Sequence, residues 1–357
     1  MVNKPYKCPC CGDNHKSNNL IYNYDRNLLS GVSGAFDYLS GVNGYISGDL
    51  HVSGDLHVSG TTHVHEIVDF EPSGEGEHLF VHVRKRDQNT QWVAGLLAEL
   101  AGIKRNDVSY CGMKDRFAVT TQWFSLYLPG KEISQEQLVH SDFEILSMAR
   151  NNKKLRRGMH AANTFRLILR EFTSLEEHFS DIEARLSSIA SNGVPNYFGE
   201  QRFGHDCGNL HQAQDLIERD QLKGNRRGTG IYLSAARSWL FNLVLAERLE
   251  KGNWSECFAY EPEPSGPLWG RGRSAASGDL EILEQTVLGP WQSWCYALEH
   301  AGLKQERRAL ILLPQNMHWQ RLAVDQLELS FDLSGGCFAT VILREIAELF
   351  RPPIESL

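Results

Sequence analysis

The sequence lacks several features that define specialised classes of protein. All of its apolar runs are shorter than the roughly 20 residues that a membrane-spanning helix needs. Its first ten residues, MVNKPYKCPC, contain no apolar stretch of the kind found in a secretory signal. Basic residues (36) are fewer than acidic residues (44), and the net charge of −8 excludes a wholly basic coat for nucleic acid, although not a local basic groove. We therefore expect a cytoplasmic protein that does not bind a membrane.

Cysteine is present, but its arrangement does not suggest a disulfide framework. Without an export signal, the 8 cysteines are expected to be thiols or metal ligands in a reducing compartment. Adjacent Cys10 and Cys11 rarely reach the same metal, and no second pair of closely spaced cysteines follows. We therefore predict no metal site. The candidate zinc ligands, all within the segment KCPCCGDNH, are Cys8, Cys10, Cys11 and His15.

The first 65 residues differ from the remainder of the chain. A six-residue unit recurs there, as SGDLHV from Ser47 and Ser53 and as SGTTHV from Ser59. Three such units are too few to close the core of a β-solenoid. We therefore predict that residues 1–65 form an atypical extension that is either mobile or loosely paired.

After residue 65 the pattern is that of a globular domain. LFVHVRKR, TTQWFSLYLPG and TFRLILREF are predicted strands because of their alternation and their aromatic and β-branched residues. Asn89 and Thr90 are the predicted caps for a helix through WVAGLLAELAG. A second helix is predicted to begin at Ser174 and to end at Gly193.

A largely helical block interrupts these strands. Its clearest helix, LSAARSWLFNLVLAERLEKG, ends at Gly252, and strand patterns return in RRALILLP and QLELSFDL before a last helix in FATVILREIAELF. Strands on both sides of a helical block are typical of an α+β core with an inserted domain. We predict that the core contains residues 66–192 and 309–357, and that the insertion contains residues 193–308.

Basic residues form local clusters despite the acidic net charge. Such clusters next to aromatic segments are typical of RNA-binding proteins, although charged runs also occur on ordinary solvated surfaces. The clusters are Arg84, Lys85 and Arg86; Lys104 and Arg105; Lys153, Lys154, Arg156 and Arg157; and Arg226 and Arg227.

The segment GMKDRFAVTTQ contains the strongest candidate for a catalytic residue. Gly112 permits a tight turn, and Asp115 follows between two predicted strands, beside Lys114 and Arg116. A carboxylate between two cations stays ionised, which suits a nucleophile or a base. An ordinary aspartate in a turn is the alternative interpretation.

Three segments in the same order and spacing, GMKDRFAVTTQ, NTFRLILRE and GVPNYFGEQRFG, resemble the TruD family of tRNA pseudouridine synthases. FEPSGEGEH and GGCFATVILRE also match, so that the resemblance covers roughly residues 66–351. It implies an α+β pseudouridine synthase core with a mixed or antiparallel sheet, interrupted by a largely helical TruD insertion domain. It also implies that the chain is an isomerase that acts on tRNA, at uridine 13 of the D-arm, and needs no cofactor.

The resemblance assigns roles to individual positions. Asp115 matches the catalytic aspartate, with Lys114 before it in the same motif. Phe165 matches the aromatic residue that stacks on the target uracil. The remaining expected substrate-binding residues are Asn163, Phe338, Gln201 and Arg202.

The chain departs from the family before residue 66. The family's core opens with Lys-x-x-Pro-x-Asp-Phe-x-Val-x-Glu, whereas this chain has HVSGTTHVHEIVDFEP, in which only Glu66 and the alternation match. A second hypothesis is therefore a non-catalytic RNA-binding protein on the same fold. With no obvious exposed apolar stripe, we expect a monomer.

Overall fold

The computed structural model describes residues 6–7, 14–15, 55–57, 62–170, 172, 175–222, 228–346 and 348–350, with the backbone alone at 6–7, 14–15, 55–57, 200, 205 and 348–350. From residue 62 onward, the described residues divide into two compact units. The sheet unit contains residues 62–192, 313–339 and 346 onward, and the helical unit contains residues 193–312 and 340–345.

The sheet unit is built on an eight-stranded sheet. Its strands are β1 His63–Ile67, β2 His78–Lys85, β3 Val108–Tyr110, β4 Val119–Tyr127, β5 Phe143–Asn151, β6 Ala162–Leu169, β7 Gln315–Ala323 and β8 Gln326–Ser334. The strand order is β7-β8-β6-β1-β4-β2-β5, and β3 pairs with β4. The β1–β4 pair is parallel and the other pairs in this sheet are antiparallel. The mixed sheet confirms the predicted α+β class.

Helix α1 (Thr90–Ala101) covers one half of the sheet. Asn89 caps it by accepting a hydrogen bond from the Trp92 backbone N–H, and Gly102 ends it in a left-handed conformation. Its buried face joins one core with the inward side chains of β2 and β4, as the predicted periodicity requires. Two short 3-10 helices, Arg105–Asp107 and Gln135–Leu138, complete this half.

Helix α2 (Phe179–Asn192) lies beside β7, where the Trp319 indole donates to Glu183 Oε1 at 3.4 Å. It begins five residues after Ser174, which lies outside the described residues, and it ends before Gly193. Gly193 has a φ of 73°, and a Cβ there would lie 2.7 Å from the Leu312 carbonyl oxygen. Glycine is therefore required at this helix end, as predicted.

The helical unit contains the remaining helices. They are α3 Glu200–Phe203, α4 Gly208–Glu218, α5 Thr229–Glu250, α6 Asp279–Leu288, α7 Gln292–His300 and α8 Ala339–Arg344, with 3-10 turns at His205–Cys207 and Gly289–Trp291. Val194–Pro195 pairs with Ile311–Leu312, and Ser265–Leu268 pairs with Glu306–Ala309. Trp239, Trp291 and Trp294 pack edge to face in its core. In the described part of the chain, we find no helix that combines the length and the apolarity needed to cross a membrane.

Three details differ from the sequence predictions. The central strand β1 begins at His63, so the boundary predicted at residue 66 lies within a strand. The last predicted helix ends at Arg344, and Glu348–Phe350 is a strand that pairs in parallel with Asp55–His57. Strand β7 was not predicted, because it is an edge strand whose residues are all exposed or half-buried and therefore show no clear alternation of apolar and polar residues.

Candidate active site

The loop that carries Asp115 connects β3 to β4, and its backbone is fixed by two fully buried side chains. Thr90 Oγ1 accepts a hydrogen bond from the Lys114 backbone N–H at 2.9 Å. The same hydroxyl donates to Gln122 Oε1 at 2.9 Å, and Gln122 Nε2 donates to the Gly112 carbonyl at 3.2 Å. Because Thr90 and Gln122 are each 0% exposed, water does not compete for these bonds.

The Lys114 side chain points into the protein. Its Nζ lies 3.1 Å from Glu66 Oε1 and donates to Asn163 Oδ1 at 2.7 Å. Glu66 Oε2 accepts a hydrogen bond from the Trp123 backbone N–H at 2.9 Å. The ion pair is buried, with side-chain exposures of 5% for Lys114 and 0% for Glu66. Lys114 therefore joins the loop to β1 and β6, an inward role that its position in the sequence did not suggest.

Asp115 itself is exposed, and its neighbours determine its geometry. Its Oδ1 accepts a hydrogen bond from the Phe117 backbone N–H at 3.0 Å, and its carbonyl oxygen accepts one from Lys85 Nζ at 2.8 Å. The side chains of Met113 and Phe117 are 62% and 76% exposed. The Asp115 carboxylate is thus open to solvent, whereas its backbone is fixed by the buried Lys85. The exposed apolar side chains of Met113 and Phe117 lie on either side of it in the sequence.

Strand pairing places the other predicted residues on the same face of the sheet. Glu66 is paired with Asn163, and Phe165 is paired with Val64 on one side and Phe331 on the other. Residues that pair across neighbouring strands share a face, as do residues two apart in one strand. Phe165 is half-buried, with its ring centroid 5.7 Å from that of Phe331. The structure therefore brings Asn163 and Phe165 to the face that receives Lys114.

His160 and Cys111 lie beside this site. His160 Nδ1 is buried and has no hydrogen-bond partner among the described residues, and a Cβ at Gly335 would lie 3.1 Å from the imidazole Nε2. Burial, assisted by the charge of Lys114, lowers the pKa of His160, so a neutral imidazole is favoured. Burial raises the pKa of Cys111 to about 12, so its thiol is inert near neutral pH.

The remaining predicted residues lie in other parts of the two units. Phe338 is half-buried and follows β8 in the sheet unit. In α3 of the helical unit, Gln201 Nε2 donates to Thr340 Oγ1 at 3.2 Å, and Arg202 donates to Ser234 Oγ at 2.9 Å. Burial lowers the pKa of Arg202.

The candidate zinc ligands cannot be placed. Cys8, Cys10 and Cys11 lie outside the described residues, and only the backbone of His15 is described. Within the described ranges, no three His, Cys, Asp or Glu side chains are grouped so that they could hold a metal ion.

Sequence reasoning missed the residues that support the loop. Thr90 and Gln122 are polar core residues without a periodic signal, and Glu66 was recognised only as a family match. Lys85 had a usable signal, because it follows Leu79, Val81 and Val83 in the buried phase of LFVHVRK.

Comparison with known proteins identifies the family. The sequence model of tRNA pseudouridine synthase D (TruD) matches residues 40–227. The chain is 47% identical over 292 residues to a tRNA pseudouridine synthase D of Cellvibrio japonicus, which covers 80% of this chain and 86% of the relative. It is 45% identical over 314 residues to the protein of the same name from Aeromonas hydrophila, covering 80% of this chain and 88% of the relative.

A solved structure shows the same fold. A crystal structure of a Methanosarcina mazei protein described as TruD superposes with a TM-score of 0.62 at 20% identity, covering 86% of this chain and 97% of that chain. The matches to the family and to its curated members extend over most of this chain and include the loop around Asp115. This chain belongs to the tRNA pseudouridine synthase D (TruD) family.

Proposed function

We propose that this chain isomerises uridine to pseudouridine in tRNA, at uridine 13 of the D-arm, with Asp115 as the catalytic nucleophile or base. The observation that carries the proposal is the geometry of Asp115. Its carboxylate is exposed to solvent, whereas its backbone is fixed by buried hydrogen bonds to Lys85 and, through Lys114, to Thr90. A carboxylate that is accessible but held in place is suited to attack a bound sugar.

The reaction balances without a cofactor. The N1–C1′ bond of uridine breaks, the uracil turns, a C5–C1′ bond forms, and the proton on C5 is lost while N1 gains one. Asp115 either attacks C1′, forming a transient ester, or removes the C2′ proton to give a glycal, and its geometry is compatible with both routes. A base within folded RNA must first be extruded into the site.

We assign supporting roles to the neighbouring residues. Phe165 stacks on the detached uracil and excludes water, and such stacking is typically worth about 1–3 kcal/mol per base. Asn163 and Lys114 form the buried base of the site, where Lys114 Nζ donates a hydrogen bond of 2.7 Å to Asn163 Oδ1. We further propose that Phe338 is a second aromatic contact and that Gln201 and Arg202 line the RNA cleft.

The remaining proposals concern the domains, the oligomeric state and the location of the protein. We propose that the sheet unit is the catalytic core and that the helical unit corresponds to the TruD insertion domain. We also propose that the protein acts as a cytoplasmic monomer.

The proposal is tested by tritium release from C5-labelled uridine in unmodified tRNA. Wild-type protein should release tritium, and Asp115→Asn should not, while tRNA affinity changes by no more than a few fold. Asp69→Asn is the matched control, because Asp69 is also an exposed aspartate and should tolerate the same change.

The position at which the protein acts is tested with a labelled tRNA in which cytidine replaces uridine 13. Loss of tritium release from this tRNA would support uridine 13 as the target, whereas unchanged release would move the target elsewhere. Binding of tRNA without any tritium release by the wild-type protein would refute the enzymatic proposal and favour the non-catalytic alternative.

A further inference from the structure

Lys85 is a buried lysine at the end of β2. Its residue exposure is 1%, in line with the buried Leu79, Val81 and Val83 on the same face of the strand. Lysine is rarely buried without a partner of opposite charge. Among the described residues, no carboxylate lies within ion-pair distance of Lys85 Nζ, so another interaction must account for its position.

Lys85 makes two hydrogen bonds that join the start of α1 to the loop that carries Asp115. Nζ donates to the Gln88 carbonyl at 2.6 Å and to the Asp115 carbonyl at 2.8 Å. Gln88 lies next to Asn89, the cap of α1. The ammonium therefore lies between the residue that precedes the cap of α1 and the backbone carbonyl of Asp115.

The charges around Lys85 do not fully compensate for its burial. Asp115 and Asp87 favour the charged ammonium, whereas Lys114, on the same loop, disfavours it. Burial is the largest effect and lowers the pKa of Lys85 to about 8. Lys85 is thus a cation that costs folding free energy but contacts the residue at the centre of the proposed reaction.

We propose that Lys85 is a positioning residue for the isomerase reaction, in which its charged ammonium fixes the Asp115 carbonyl and thereby orients the Asp115 carboxylate toward the ribose. This inference rests on the proposed function. A purely structural role would be filled better by an apolar side chain of the same length, which avoids burying a charge. Among the described residues, this buried cation binds only carbonyl oxygens, which points instead to a role in the geometry of the loop.

The first test compares Lys85→Met with Arg84→Met. Methionine matches the length of the lysine chain but cannot donate to the Asp115 carbonyl. Arg84 is the adjacent residue on the opposite face, and it is paired with Glu144 at 2.9 Å in an exposed salt bridge. Its replacement removes the same charge without touching the loop, and with the protein in saturating excess any contact of Arg84 with a phosphate does not enter the measured rate. In single-turnover tritium release, Lys85→Met should be slower by about tenfold or more, as expected for loss of a hydrogen bond from a charged group. Arg84→Met should be within about twofold of wild type.

The control measurements separate positioning from folding. Lys85→Met should retain its tRNA affinity within a few fold and should not melt below wild type, because it also removes a buried charge. If Lys85→Met turns over as fast as wild type, the positioning role is wrong. A loss of rate that is matched by a lower melting temperature and restored by assaying at a lower temperature would also overturn it.

The pH profile supplies a readout that a structural role would not move. Because Lys85 is protonated below its pKa of about 8, the wild-type rate should fall as the pH rises through that value. The Arg84→Met profile should keep this decline, and the Lys85→Met profile should lack it between pH 7 and 9. An identical alkaline decline in Lys85→Met would overturn the inference.

Failure of this inference can be distinguished from failure of the proposed function. Wild-type tritium release that is abolished by Asp115→Asn establishes the function independently of Lys85. Only when that result is in hand does an unchanged Lys85→Met variant count against the positioning role alone.

Discussion

Lys114 and Glu66 form a buried ion pair in which Nζ lies 3.1 Å from Oε1, next to the exposed Asp115. The pair links the loop that carries Asp115 to β1, the strand that follows the atypical N-terminal segment. The segment before Glu66 departs from the family pattern, but the strand that carries Glu66 is present in the middle of the sheet. The altered N-terminus therefore retains the contact that joins it to the loop.

The first prediction concerns this ion pair. Glu66→Gln should lower the free energy of unfolding by about 3 kcal/mol or more, because it leaves the Lys114 cation buried without its counter-charge. Denaturation in urea measures this loss. The double variant Glu66→Gln with Lys114→Met should recover most of the stability but not the rate of tritium release. Equal stability of Glu66→Gln and wild type would contradict the buried pair.

The second prediction concerns the pH dependence of stability. Lys85 has a pKa of about 8 in the folded protein, compared with 10.5 for an unperturbed lysine. Below pH 8, Lys85 is charged in both the folded and the unfolded protein, so the full free-energy cost of burying the charge lowers stability. Between pH 8 and 10.5, Lys85 is neutral in the folded protein but still charged in the unfolded protein, so the free energy of unfolding rises with pH. Relative to Lys85→Met, the wild-type unfolding free energy should gain about 2 kcal/mol between pH 7 and 9.5.

Urea denaturation of both proteins across this pH range measures the gain, and the difference between the two curves cancels the other titrating groups. A difference that does not change with pH would show that Lys85 titrates normally. The result is independent of catalysis, because it needs no tRNA.

The third prediction concerns the ring of Phe165. Phe165→Ala should slow turnover by orders of magnitude with the fold retained, since the detached uracil loses its stacking partner and water gains access to the sugar. Phe165→Tyr keeps the ring and should retain most of the activity. Single-turnover tritium release with both variants provides the comparison. Wild-type turnover by Phe165→Ala would remove this residue from the site.

The sequence predicted the helices and strands that show periodic apolar residues or a helix-capping residue. Helix α1 was predicted by its apolar spacing and by Asn89, and β4 and β6 by their alternation. The turn at Gly112 placed Asp115 between two strands, and the resemblance assigned its expected role. The bonds that hold that loop were not predictable, because Thr90 and Gln122 meet across 32 residues of sequence and isolated polar side chains leave no pattern. Such contacts depend on the register between strands and helices, which only the folded structure defines.

The fourth prediction concerns the basic cluster in the loop between β5 and β6. Its four cations, Lys153, Lys154, Arg156 and Arg157, are all exposed, as contacts to phosphates would require. Replacing Lys153 and Lys154 by glutamine should weaken tRNA binding and reduce the slope of log affinity against log salt by about 1 for each lost contact. Filter binding at several salt concentrations measures the slope.

The matched control for this cluster is the pair Lys104 and Arg105, which is exposed beyond the end of α1. Arg105 already donates a hydrogen bond to the Gln91 carbonyl at 3.1 Å, which limits its reach toward a ligand. Glutamine at both positions should leave the salt slope closer to that of wild type than the Lys153 and Lys154 variant does. Equal slopes for the two variants would mean that the loop between β5 and β6 contributes no more to phosphate contacts than other exposed basic residues do.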